Sequence, residues 1–319
     1  MTIYSKNRMM KIHRQQGIAI VIVLWMTALM TIMALAYSSM TRTENRLNSL
    51  MVHSAQARSI AESGIWLAVN DLIQPSTSRR YPTNNLPTQL QSDSLQSLTI
   101  SIQDETGKID LNKASQQLLM GLVQSVGVDQ DKSYPIVDAI MDWRDNNDLS
   151  LLNGAEDSDY AANGYPYGAK DGPINSVGEL LQIHGIDALL YKKLQPLVTI
   201  HSMRPRVNIN SASIAVLHAI PSLSTDMVVQ LISSRADLGN ATIPPVISDE
   251  ARPYISTAGR GNVFSVVSEA QVKGVSSRLR VTFVLKKNGD RPITILEWRE
   301  NVPPLIHQQT DTQENVSEF

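Results

Sequence analysis

The chain has 319 residues, of which 42% are hydrophobic and 18% charged, with 28 lysines and arginines against 30 aspartates and glutamates. A formal charge of −2 argues against bulk nucleic-acid binding, which draws on a basic face. No cysteine is present, which excludes a disulfide framework and a thiol nucleophile, and the length accommodates an anchor plus one or two domains.

From Ile18 to Tyr37 the only polar groups are Thr27, Thr31 and the Tyr37 hydroxyl, and no charged residue lies between Arg14 and Arg42. As a helix the run spans roughly 30 Å, the thickness of a bilayer core. It exceeds the apolar region of about 7–15 residues of a secretory signal, and no clean A-x-A exit follows it. A retained transmembrane helix is expected. Lys6, Arg8, Lys11 and Arg14 precede it without an acidic residue, so the positive-inside rule keeps that end in the cytoplasm and sends the remainder across. Residues 1–17 carry four of the basic and none of the acidic residues, so the chain without them would carry −6.

The helical pattern continues. Leu47, Met51, Ala55, Ala61, Ile65, Val69 and Leu72 recur at steps of three or four residues or their multiples, with charged residues between them, which predicts one helix from Ile18 to about Ile73, apolar all round and then on one side only. Residues 74–96, polar with three prolines, read as a loop. LTISIQDE (98–105) alternates as a strand.

Two segments further on resemble each other: IDLNKASQQLLMGLVQSVGV (109–128) and VNINSASIAVLHAIPSLS (207–224). Asn112 or Ser115 in the first, and Asn210 or Ser213 in the second, could cap the helix that follows. Each is followed by a second helix, 134–144 and 225–235, and 176–197 supplies another helical hairpin with Gly185 in its turn. Residues 237–262 read as loop. Segments 262–272, 278–287 and 291–300 favour strands by alternation and by their Val, Ile, Thr and Phe content, with Asn288-Gly289 as a hairpin turn. A polar, disordered tail is expected from Pro303. One strand before the helical region and three after it predict a helical domain, 106–258, inserted into one α/β domain built from 39–105 and 262–302.

The acidic stretch 142–173 holds Asp142, Asp145, Asp148, Glu156, Asp157, Asp159 and Asp171. Hard oxygen donors of this kind suit calcium, but the spacing is not that of an EF-hand loop, and a solvated acidic loop is the alternative. Its length, about 30 residues with little periodicity, calls for something to hold it. Enzyme signatures are missing: the six histidines form no H-E-x-x-H pair, and neither G-x-S-x-G nor G-x-x-x-x-G-K occurs. Trp66 and Trp143 read as core residues. The second hairpin resembles helix–hairpin–helix units of DNA-uptake proteins, but its turn, Pro221-Ser222-Leu223-Ser224, has no glycine and few basic neighbours.

A basic leader ending in glycine, a long apolar helix that becomes amphipathic, and then a sheet resemble the type IV pilin and pseudopilin family. The resemblance implies an α+β, pilin-like fold with the long N-terminal helix packed on an antiparallel sheet. It also implies cleavage between Gly17 and Ile18 by a prepilin peptidase and methylation of the new N-terminus. The family usually carries Glu at the fifth mature position; here that residue is Ile22, as in an initiating or tip subunit. DETGKIDLN (104–112), DWRD (142–145), GAEDSDY (154–160), SVGELLQIHGI (176–186) and VNINSAS (207–213) resemble, over nearly the whole chain, the K-type minor pseudopilins of type II secretion systems. That resemblance implies calcium in the acidic loop, with Asp145, Asp148, Glu156, Asp157 and Asp171 as expected ligands. It implies a structural, non-enzymatic subunit of a periplasmic pseudopilus, anchored by residues 18–38 in the inner membrane. Expected partners are the I- and J-type minor pseudopilins, the major pseudopilin and the prepilin peptidase, with secreted substrates or the outer-membrane channel as contacts of the tip, and no nucleic acid. A minor type IV pilin and a membrane-anchored DNA receptor are the competing readings.

Overall fold

The computed structural model describes residues 16–75, 78–93, 96–237, 247–286, 292–300 and 302. The leader up to residue 15, the Asn288-Gly289 turn and the tail from 303 lie outside the described residues.

The first element is one helix, α1 (Gln16–Ile73), of 58 residues. The chain divides into two bodies at Ala55 and Gln56. In the first body the large apolar side chains from Ile18 to Met40 are exposed. Thr27 donates its hydroxyl to the Leu24 carbonyl at 2.9 Å and Thr31 to the Thr27 carbonyl at 2.7 Å. The two threonine hydroxyls of the apolar run are thus satisfied by the helix itself, as a hydrocarbon surrounding demands. Among the described residues this is the one helix long and apolar enough to cross a membrane.

The second body begins with the last turns of α1. There Ala61, Ile65, Ala68, Val69 and Leu72 are buried at helical spacing, and each fully buried Ile or Leu contributes about 1.5–3 kcal/mol. β1 (Asn84–Asp93) and β2 (Gln96–Asp104) follow. The insertion then runs β3 (Ile109–Asp110), α2 (Gln116–Ser125), α3 (Gln130–Arg144), α4 (Asp157–Ala162), a 3-10 segment at Val177–Gln182, α5 (Ala188–Leu194), β4 (Val198–Thr199), β5 (Val207–Asn208), α6 (Ile214–His218), α7 (Thr225–Asp237) and β6 (Ile255–Ser256). The chain closes with β7 (Val263–Val272), β8 (Val275–Leu285) and β9 (Ile293–Glu300).

β1-β2-β7-β8-β9 is the order of a five-stranded sheet, antiparallel throughout. Its Ile100, Ile102, Phe264, Val266, Leu279, Val281 and Phe283 pack with the buried face of α1. Gly64 of α1 is required by this approach, since a Cβ there would lie 2.2 Å from Ser268 Oγ. Lys273 and Gly274, both at positive φ, make the two-residue β7–β8 turn.

Four expectations need correction. Trp66, read as a core residue, is exposed on α1, whereas Trp143 is buried as expected. Residues 84–93, read as loop, form β1. Among the described residues it pairs only with β2, and its register breaks beside Pro87; an edge strand tolerates both a proline and polar side chains on its open side. The expected all-helical insertion is helical apart from two parallel pairings of two residues each, β3 with β4 and β5 with β6. In the 176–197 hairpin the first arm is 3-10 helix, with Gly185 at φ +84 in the turn.

The repeated sequences build repeated structure. Ser115 and Ser213, not Asn112 and Asn210, cap α2 and α6 by accepting from Leu118 N and Val216 N, both at 3.3 Å. Asp110 and Asn208 each accept from the backbone N–H two residues on. At the far end of each hairpin an arginine returns to the start: Arg144 donates to the Leu111 and Ala114 carbonyls and Arg235 to that of Ala212. Both hairpins contribute to a single core containing Leu118, Leu119, Val137, Ile140, Val216, Leu217 and Leu231.

Polar side chains weld this insertion to the sheet. Asp104 accepts from Thr106 N at 2.9 Å and from Gly261 N at 2.8 Å. Gln103 donates to the Ser211 carbonyl at 2.9 Å. Buried Glu105 takes Lys108 Nζ at 2.8 Å and the Ser265 hydroxyl at 2.6 Å; burial works to raise its carboxyl, but Lys108 and these hydrogen bonds hold it below the usual range. The DETGK stretch is therefore the hydrogen-bonded root of the helical domain.

Candidate functional site

The acidic loop is built outward from α3. Asp138 and Asp142 stand one turn apart on this helix and both are buried. Asp142 accepts from Leu151 N at 3.2 Å and from Ala155 N at 3.0 Å. Gly154 must be glycine-sized here, because a Cβ would lie 1.8 Å from Asp142 Oδ2. Asp138 accepts from Gln116 Nε2 at 2.6 Å and from Asn153 N and Nδ2, each at 3.2 Å. The loop's far end is fixed by Asn112, whose amide exchanges two hydrogen bonds with the Ile174 backbone, at 2.9 and 2.7 Å. Lys170 pairs with Glu179 at 2.7 Å. Long irregular chain is held here by side chains of α2, α3 and the repeat, in place of a ladder of its own.

An aromatic floor lies under the loop. Tyr160 of α4 is fully buried, and its ring meets those of Trp143, Tyr165, Tyr167 and His184 with centroids 5.6–6.3 Å apart. His184 N donates to its hydroxyl at 3.0 Å, and burial pushes that hydroxyl up to about 12.

The five expected ligands are spread along the same loop, from the end of α3 to residue 171. Asp145 ends α3 and accepts from Asn147 N at 3.1 Å. Asp148 and Asp157 are exposed, and the Asp157 carboxylate lies over Gly168, where a Cβ would come within 1.7 Å of its Oδ1. Glu156 is buried at the start of α4 and its Oε1 has no hydrogen-bond partner. Asp171 sits at φ +52, and its Oδ1 is likewise buried and unpartnered. These groups feel one another. Burial first, then Asp142, Asp171, Asp145 and Asp148, push Glu156 up to about 7. Asp171 is raised by burial and then by Asp148, Asp157 and Asp145. Burial, opposed by its two backbone donors and aided by Asp145 and Asp138, pushes Asp142 up to about 6. Among the described residues no three carboxylate or imidazole groups meet as a ready-made metal cage. The arrangement is a set of oxygen donors from one loop with two buried oxygens unsatisfied.

The two carboxylates that organise the loop, Asp138 and Asp142, were not among the expected site residues. Their signal is present in the sequence: acidic residues four apart on the otherwise apolar stretch YPIVDAIMDW, a position where a charge is kept only when the fold gives it donors. Of the processing pair, Gly17 and Ile18 both lie within the first turn of α1.

Residues 94–203 match the family model described as type II secretion system (T2SS), protein K. The chain is 26% identical over 306 residues to a type II secretion system protein K of Klebsiella pneumoniae, covering 87% of this chain and 94% of that one. It is 25% identical over 314 residues to the protein of the same description from Aeromonas hydrophila, covering 86% and 95%. Its fold resembles a chain of the crystal structure of the GspK-GspI-GspJ complex from the enterotoxigenic Escherichia coli type 2 secretion system. That match has a TM-score of 0.51 and 20% identity, covering 82% of this chain and 99% of the other.

Proposed function

We propose that the chain is a protein K of a type II secretion system, a minor pseudopilin of that machinery, and that it is the tip or initiating subunit of the pseudopilus. The observation that carries this reading is the placement of a whole helical domain between β2 and β7 of a pilin-like sheet. A domain of that bulk obstructs a further subunit from stacking above it. Ile22 supports the same position, since a subunit without a carboxylate there cannot offer it to the terminal amine of a neighbour, and a carboxylate in lipid is kept only with a partner.

In this reading the prepilin peptidase cuts between Gly17 and Ile18 and the Ile18 amine is methylated. The apolar part of α1 then anchors the chain in the inner membrane, N-terminus in the cytoplasm and helical domain in the periplasm. I- and J-type minor pseudopilins and the major pseudopilin are its lateral partners; the solved complex of GspK with GspI and GspJ supports the first two. The exposed Trp66, Leu67 and Ile73 offer a face of α1 for such contacts. The subunit works by assembly, without a catalytic step of its own.

The acidic loop fits calcium. Its donors are all hard oxygens, and two of them, Glu156 Oε1 and Asp171 Oδ1, are buried without a partner. Asp145, Asp148, Glu156, Asp157 and Asp171 would hold the ion, which would supply positive charge to carboxylates that otherwise repel one another. The carboxylates themselves orient the loop; the ion would lock it.

Intact mass of the chain isolated from membranes, with and without the prepilin peptidase and beside Gly17→Ala, tests the pathway. Loss of residues 1–17 with gain of one methyl group, abolished in the variant, is the expected result. An uncut chain, or cleavage near Ala36, overturns the pseudopilin pathway for this protein.

A further inference from the structure

We propose that Leu149–Leu152 is a docking loop for a protein partner that presents an apolar pocket rimmed by lysine or arginine. Leu149 is 78% exposed, Leu152 95% and Leu151 39%, and among the described residues none of them belongs to or packs against either hydrophobic core. One exposed leucine is ordinary; three within four residues make a patch.

Slack chain does not explain the exposure. Leu149 N donates to Asn147 Oδ1 at 3.0 Å, Leu151 N to Asp142, Asn153 N to Asp138, and Gly154 N to the Leu151 carbonyl at 3.0 Å. Two buried carboxylates thus order a turn whose apolar side chains face water. A surface fixed before its partner arrives avoids much of the ordering entropy of association.

Charge selects the partner. Asp145 and Asp148 precede the leucines and Asp157 and Asp159 follow them. The stretch 142–173 has two cations, Arg144 and Lys170; the first is spent on the Leu111 and Ala114 carbonyls and the second on Glu179. Even with one divalent ion bound, the carboxylates keep a negative excess. An anionic bilayer is repelled by such a rim, whereas a basic protein rim is attracted and steered to it. The inference rests on the tip reading, because the loop reaches an outside partner only where no subunit covers the helical domain.

The test is a photoreactive residue at position 152 of the full chain, in cells carrying the secretion machinery, with exposed Lys192 on α5 as the control position. Position 152 is expected to cross-link a protein outside the pseudopilus, through a peptide containing apolar residues and lysine or arginine, with no such product from 192. Leu149→Asn should lower the yield by roughly tenfold or more while leaving the unfolding transition in place. No product above the Lys192 control, a lipid adduct alone, or a yield indifferent to Leu149→Asn overturns the docking loop and leaves the tip position standing. A product with a neighbouring pseudopilin shows the patch covered within the pseudopilus and likewise overturns the docking loop, without bearing on the tip position.

Discussion

Replacing Asp142 by alanine removes the acceptor that orders the middle of the acidic loop. Two backbone donors lose their partner, Leu151 N and Ala155 N, and they differ in what they can find instead. Leu151 is part exposed, so water replaces the carboxylate at a cost of about 0.5–1 kcal/mol. Ala155 is 1% exposed, and an unsatisfied donor there costs about 1–3 kcal/mol. The void left by a fully buried side chain adds about 1 kcal/mol. Relief from losing a carboxylate that burial already disfavours offsets part of this, leaving a net loss of about 2–4 kcal/mol. For a body of this size that lowers Tm by roughly 4–16 °C. Asp142→Asn keeps one acceptor and carries no charge, so it should cost about 1 kcal/mol or less. The assay is thermal unfolding of the full chain in detergent at neutral pH with calcium chelated. Equal transitions for wild type and alanine variant, or an asparagine variant less stable than the alanine one, would refute this account of the loop.

The same carboxylates set a pH dependence. Asp142 at about 6 and Glu156 at about 7 hold protons more tightly in the folded chain than when unfolded, so stability without calcium falls as pH rises from about 4 to 7 and then levels off. Glu105, which is depressed, acts in the opposite sense and only below its ordinary range; a chelated sample whose Tm rises between pH 5 and 7 would contradict the assignment. Added calcium should raise Tm by an amount that grows with the logarithm of its concentration and flatten that pH profile, and Glu156→Gln should weaken the gain; calorimetry showing no calcium heat would remove the ion from the proposal. Gly64→Ala forces a Cβ toward Ser268 Oγ and should cost about 1–3 kcal/mol by overpacking, whereas Gly64→Ala with Ser268→Gly should recover most of it, read by chemical denaturation. Ser115→Ala and Ser213→Ala should each cost about 1 kcal/mol, with the double variant close to additive because the two caps share no partner.

Much of this protein was legible from local pattern. The run from Ile18 to Tyr37 has no other stable home than a bilayer-length helix, the repeated N-[KS]-A-S stretches begin two helices, and the alternation in 262–300 makes strands. The five carboxylates expected at the site lie on one loop, two of them with buried unpartnered oxygens, but among the described residues no three groups meet as a metal cage. What the linear pattern concealed was decided by neighbours far away in the chain. Residues 84–93 are a strand only because β2 offers them an edge, and a polar, proline-containing segment has no periodicity to announce that. Asp142 counts in the sequence as one acidic residue of the loop among seven and Asp138 is not singled out at all; only when the loop folds back do backbone donors make the pair its organisers. Helices and their caps are fixed by contacts within a few residues, which sequence records directly. Edge pairing and the partners of buried charges depend on contacts tens of residues away, such as Asn112 with Ile174 or Gln103 with Ser211, and only the tertiary structure supplies them.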